Sequence, residues 1–124
     1  MVAYNFQPRF RKPILEGTKG GTIRGQRRRH ARAGDELQLY TGMRTTRCDL
    51  IARRTCLSVQ PIILEFEVTK VVLGDAVIAS PEQLDAFAEF DGFQNYAELV
   101  EFWRETHCAD GYWTGWHIRW LDLP

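Results

Sequence analysis

The rhythm of apolar and polar positions divides the chain into a β-patterned body followed by a helical region and a last strand. VAYNF (2–6) alternates weakly and predicts a first strand. QPRFRKPILEG (7–17) predicts a short helical segment: Pro13 suits a first turn, Ile14 and Leu15 are apolar, and Gly17 is placed to cap the end. GGTIRG (20–25) is short and extended, and RRRHARAGDE (27–36) is a polar loop. In LQLYTG (37–42), Leu37, Leu39 and Thr41 recur at the two-residue period of a strand. CDLIARRTCLSVQ (48–60) predicts one long strand or two, punctuated by Pro61. IILEFEVTKVVLGDAVIA (62–79) is the strongest β signal, its β-branched runs broken by a hairpin turn at Gly74-Asp75.

From Ser80 the period lengthens. SPEQLDAFAEFDGF (80–93) opens with Ser80 as N-cap and Pro81 at the first helical position, and Leu84, Phe87 and Ala88 fall at helical spacing. Asp91-Gly92 ends that helix. NYAELVEFWRETH (95–107) starts again from Asn95, with Glu98 completing a capping box and Leu99, Phe102 and Trp103 forming the buried stripe. YWTGWHIRWLDL (112–123) is an aromatic-rich strand in which Trp113, Trp116 and Trp120 read as core and strand wall. Strands and helices segregated in this way predict an α+β fold, a small curved sheet or barrel of about five to seven strands flanked by helices.

The 124 residues suit a single domain spanning 1–124, with the hydrophobic and charged content of an ordinary globular protein. No apolar run reaches membrane-spanning length, and MVAYNFQPRF lacks the pattern of a signal peptide, so no membrane partner and a cytoplasmic location are expected. Cys48, Cys56 and Cys108 lack metal-ligand spacing and read as reduced thiols. Cys108 follows His107, but adjacent side chains diverge, and neither a metal nor a cofactor is expected. The zero net charge hides an asymmetry. Residues 1–54 carry 13 Lys and Arg against 4 Asp and Glu, whereas residues 55–124 carry 3 against 12. Arg27, Arg28, Arg29 and Arg32 concentrate that positive excess. They read either as a local nucleic-acid contact or as a solvated loop neutralised by the acidic half.

The chemistry centres on GTKGGTIRG (17–25). In an extended segment Thr22 and Arg24 share a face, Ile23 points to the core, and Lys19 can fold over the same face. The stretch is not a phosphate-binding Walker loop, because the Gly-Lys-Ser/Thr order and the following helix are missing. A Lys–Thr pair suits a nucleophile and its base, provided that the lysine pKa falls by about 2–3 units. Alternatively, Lys19 and Arg24 hold phosphates and Thr22 merely fits a strand. The glycines would leave room for a nucleobase or phosphate.

ILEGTKGGTIR, GDELQLYTGMRT, CDLI, the A-x-x-D-G-F at 88–93 before an amphipathic helix, and the closing IRW together resemble the ASCH family. Gly17-x-Lys19-x-x-Thr22-Ile23-Arg24 matches that family's Gly-x-Lys-x-x-Thr-x-Arg pattern without a gap. The resemblance implies a PUA-like β-barrel with a cleft beside it and RNA or nucleotide ligands. Some small ASCH proteins remove the acetyl group of N4-acetylcytidine with a lysine, a threonine and a glutamate. Lys19 and Thr22 take the first two places. Asp91 stands at the third, one methylene shorter than the family's glutamate, with Glu89 two positions away. Tyr40 and Arg44 in YTGMRT, with Arg24, are implied as substrate contacts. Three readings follow: an amidohydrolase of a modified cytidine, a non-catalytic module for single-stranded RNA or tRNA, and an ASCH-type ribonuclease.

Overall fold

A computed structural model describes residues 1–107 and 111–123. Its fold is α+β, with two sheets and three helices. Strands β1 (Val2–Phe6), β3 (Glu36–Thr41) and β4 (Asp49–Thr55) form one sheet in the order β1-β3-β4, with β1 and β3 parallel. The other is antiparallel throughout, in the order β2 (Gly21–Arg24), β8 (Tyr112–Arg119), β5 (Ser58–Glu65), β6 (Lys70–Leu73), β7 (Ala76–Ile78). The described residues thus form eight strands rather than five to seven, and they do not close into a barrel. No ladder joins the two sheets. Side chains do so instead: one hydrophobic core runs through both, and the Phe6 ring meets Trp120, just past β8, edge-on at 6.2 Å.

The expected first strand, the strand at 20–25 and the Gly74-Asp75 hairpin form as read. CDLIARRTCLSVQ resolves into two strands belonging to different sheets, β4 and β5. Pro61 does not interrupt β5. Its carbonyl accepts from Gly74 N–H at 2.9 Å, just past the end of β6, so its nitrogen faces a side where the β5–β6 ladder has already stopped. A second turn separates β5 from β6 over residues 66–69. It contains no glycine, and Thr69 takes the left-handed conformation at φ 53°. That is why the sequence does not betray it.

Helix α1 (Arg11–Glu16) follows a single 3₁₀ turn and ends at Gly17, φ 80°. Helix α2 (Pro81–Phe90) is capped by Ser80, whose hydroxyl accepts from Gln83 N–H. Asn95 caps α3 (Tyr96–His107) through its side-chain oxygen and Glu98 N–H. Glu98 itself reaches Gln94 N–H and Arg9 rather than closing the reciprocal box. The acidic and basic halves meet in the pairs Arg9–Glu98 and Lys19–Asp91, whereas Arg11–Asp49 and Arg53–Glu36 lie within the basic half. No helix among the described residues is long and apolar enough to cross a membrane.

The link from α1 into β2 is held from both sides. Gly20 donates to Phe90 O at the end of α2 and accepts from Trp120 N–H after β8, each at 2.8 Å. A side chain at Gly20 would put Cβ 2.6 Å from Leu121 Cβ and 2.7 Å from the Phe90 ring. Gly20→Ala is therefore expected to cost about 1–3 kcal/mol in chemical denaturation, as overpacking does. Gly25→Ala, whose Cβ would meet only Trp113 at 3.6 Å, is expected to be near neutral.

Candidate functional site

Four polar side chains are buried among the described residues, Lys19, Thr22, Asp91 and His117. Three of them line a cleft of about 200 Å³, together with Arg24. Aromatic rings make the walls, among them Phe6 and a cluster in which Phe10 meets Phe93 and Phe102 edge-on at 5.5 and 5.8 Å, with Trp103 and His107 also lining it. Ionisable groups kept out of water in a concavity are where altered acidity is to be sought.

Lys19 is 2% exposed. Its ammonium donates to Gly21 O at 2.6 Å and to Asp91 O at 2.5 Å. It lies 3.8 Å from Asp91 Oδ1 and over the ring faces of Phe10 and Phe6, at 4.9 and 5.5 Å. Burial pulls its pKa down to about 8; the Asp91 carboxylate opposes this and the Arg24 guanidinium adds to it. At neutral pH about one-tenth of the lysine is then the free amine.

Thr22 and Arg24 share a face of β2, as the alternation requires, and Ile23 is buried between them. Arg24 Nε donates to Thr22 Oγ1 at 3.1 Å and Nη2 donates to Asn5 O at 2.6 Å. Its guanidinium lies over Phe6 at 4.7 Å and Tyr4 at 5.5 Å. Burial lowers its pKa to about 10, so it remains a cation at neutral pH.

Asp91 reaches the cleft because α2 ends there and the chain turns at Gly92, φ 99°. A Cβ at Gly92 would come within 2.8 Å of Lys19 Cδ. Glu89, one face away on α2, is exposed and lies beside Gly17, Thr18 and Asp122 instead. Asp91 is thus the carboxylate brought to Lys19 and Thr22.

Other sequence-predicted residues lie elsewhere. Tyr40 is on the outer face of β3, its hydroxyl 3.4 Å from Gln38 Oε1, and Arg44 is exposed in the β3–β4 connection. Neither lines the cleft. The connection is nevertheless tied beside it, Met43 N–H donating at 2.9 Å to Oδ1 of Asn5, which lines the cleft. Arg27, Arg28, Arg29 and Arg32 line a separate, wider depression. The glycines also differ from expectation. Gly20 and Gly21 admit protein rather than ligand, since a Cβ at Gly21 would stand 2.7 Å from His117 Nε2.

The residue the sequence did not single out is His117. It is wholly buried on β8, with Nε2 3.7 Å from Asp91 Oδ1, and neither ring nitrogen has a hydrogen-bond partner among the described residues. Its only sequence signal is a polar residue within an aromatic strand. His107 lines the cleft mouth, stacked on Trp103 at 3.9 Å, with its pKa lowered by burial and by Arg24. The His107-Cys108 pair cannot be followed further, because Cys108 is outside the described residues. No cluster of metal-binding side chains occurs among the described residues. No family model, curated protein or solved structure matches the chain.

A buried lysine with a lowered pKa makes stability depend on pH. Its folded pKa, about 8, lies below the ordinary 10.5, so between these values the unfolded chain binds more protons. Stability from this group rises with pH across that window. The stability of wild type relative to Lys19→Met is expected to increase by roughly 3 kcal/mol from pH 8 to 10.5. Urea denaturation at both pH values measures it, and no change across the window would place the amine in water.

Proposed function

We propose that the cleft is the active site of an amidohydrolase that removes the acyl group from an N4-acylated cytidine, the chemistry implied by the resemblance to the ASCH family. The carrying observation is the geometry at Lys19 Nζ. Two backbone carbonyls, Gly21 O and Asp91 O, take two of its three positions. In the neutral amine both N–H groups stay on those carbonyls and the lone pair occupies the remaining position. Gly21 precedes Thr22, so the amine is fixed one peptide from the hydroxyl. Arg24 Nε donates to Thr22 Oγ1, which stabilises negative charge there and leaves the hydroxyl proton for a base.

In this reading Thr22 Oγ1 attacks the acyl carbon while its proton passes to Lys19. The tetrahedral intermediate collapses, and Lys19 returns the proton to the departing cytosine amine. Water, deprotonated by Lys19, then attacks the acyl-threonine ester and releases the carboxylic acid and the free hydroxyl. Asp91, 3.8 Å from Nζ, steadies the ammonium between these transfers. The aromatic walls suit a planar heterocycle. A phosphate clamp fits less well, because donors of both Lys19 and Arg24 are committed to backbone carbonyls and to Thr22.

Wild type is expected to release cytidine from N4-acetylcytidine. Its kcat/KM should rise about tenfold per pH unit and level off near pH 8, the pKa of the free enzyme's base. Thr22→Ala should lose at least about 10³-fold. Asp91→Asn removes the charge that raises the Lys19 pKa, so its rising limb should move to lower pH. Chromatography of released cytidine measures all three. Undiminished turnover in Thr22→Ala, or no release by wild type, defeats the proposal.

A further inference from the structure

His117 is the buried ionisable group that the cleft chemistry leaves unused. Strand β8 carries it into the interior, where it is wholly buried. Its ring is wedged between the Gly21 backbone and two aromatic rings. A Cβ at Gly21 would stand 2.7 Å from Nε2, and the Phe87 and Phe90 rings lie 5.3 and 6.0 Å away. Strands β2 and β5 set Ile23 and Gln60 opposite it in register, and neither ionises. The Gly21 carbonyl accepts from Lys19. The carboxylate within reach is that of Asp91, with Oδ1 3.7 Å from Nε2.

Asp91 Oδ1 stands almost equally far from two nitrogens, 3.7 Å from His117 Nε2 and 3.8 Å from Lys19 Nζ. Both separations exceed the roughly 2.7–3.2 Å of a hydrogen bond. Oδ1 and both ring nitrogens are buried without a hydrogen-bond partner among the described residues. A buried donor and a buried acceptor left unpaired each weaken the fold. Here they face each other, and a turn of the carboxylate closes the gap on either side. The last torsion of an aspartate is broad, so such a turn costs little. The backbone stays in place, because Asp91 O holds the Lys19 amine throughout.

We propose that His117 is a positioning residue that shares the Asp91 carboxylate with Lys19. While Lys19 is charged, Oδ1 is drawn to Nζ; once Lys19 has lost its proton, Oδ1 turns to the Nε2–H of neutral His117. The pairing needs no substrate, but its value in catalysis rests on the amidohydrolase reading. It favours the free amine, because the carboxylate that the amine releases finds another donor. With Lys19 as its sole partner, the carboxylate would hold the ammonium instead. The other ionisable groups around Lys19 do not replace His117. Arg24 of β2 has Nε and Nη2 engaged on Thr22 and Asn5, and His107 of α3 lies at the cleft mouth, stacked on Trp103.

The test is an NMR pH titration of isotope-labelled lysine side chains, of which the chain has only Lys12, Lys19 and Lys70. H117M and H117Q introduce unbranched side chains of similar length, and only the glutamine has an N–H for Asp91. Lys19 should titrate about 0.5–1 pH unit higher in H117M than in wild type, and H117Q should recover most of the difference. In a D91N background the two substitutions should give the same Lys19 titration, since no carboxylate remains to be shared. Equal titrations in H117M and H117Q, or a difference that survives in D91N, overturn the proposal. A second measurement needs no variant. Nitrogen NMR of labelled histidine in wild type should find the His117 proton on Nε2, and a proton on Nδ1 or on both nitrogens overturns the proposal. Cytidine release from N4-acetylcytidine is followed in parallel, and kcat/KM at neutral pH should fall about three- to tenfold in H117M and recover in H117Q. Release by wild type with equal Lys19 titrations in both variants keeps the hydrolase and removes this inference. The expected titrations without release by any of the proteins keep the pairing and remove the hydrolase.

Discussion

The structure hangs on where one ammonium group is kept. Lys19 follows the end of α1, lies against the Phe6 and Phe10 rings of the cleft, and spans from the first residue of β2 to Asp91, which caps the end of α2. Burying a lysine is costly unless its protons find acceptors. Here two backbone carbonyls accept from it, and the Asp91 carboxylate, 3.8 Å away, adds only its charge. The arrangement fixes the β2 entry against the α2 exit, and those two segments carry Thr22 and Asp91. The packing that unites the sheets therefore also assembles the site.

The same burial links stability and chemistry with opposite signs. Desolvation weakens the fold at any pH where the lysine is charged, and it makes the amine available as a base near neutrality. A lysine on an exposed strand would avoid the first effect and forfeit the second. The surrounding glycines follow from this choice. Gly92 makes room for the lysine stem, and Gly20 and Gly21 let Phe90, Leu121 and His117 close over the backbone that carries it. Gly20 and Gly21 report protein packing around the lysine rather than space for a ligand, whereas Gly17 serves the left-handed end of α1.

Much of the architecture was legible locally. The Ser80 and Asn95 caps, the Gly17 helix end, the Gly74-Asp75 turn and the two-residue alternation of β3 each depend on residues close in sequence, and each appears where those residues stand. The glycine-free turn at 66–69 and the proline inside β5 were not legible. One contains no turn residue, and the other is tolerated only because the β6 ladder ends beside it. Strand pairing between distant segments also decided that two open sheets form rather than a barrel.

At the site, the alternation of β2 alone determined that Thr22 and Arg24 share a face while Ile23 points inward, because side-chain direction in a strand is a local property. The composition likewise fixed the arginine cluster, since charge density along the chain needs no folding. Only the tertiary structure separated that cluster from the cleft, left Tyr40 and Arg44 outside it, and chose Asp91 over Glu89. Only it placed His117 behind Asp91, through the pairing of β2 with β8 and the packing of α2 on both. These are contacts between segments far apart in sequence. A chain records the composition of such segments, whereas the distance between them is set by how the common core closes.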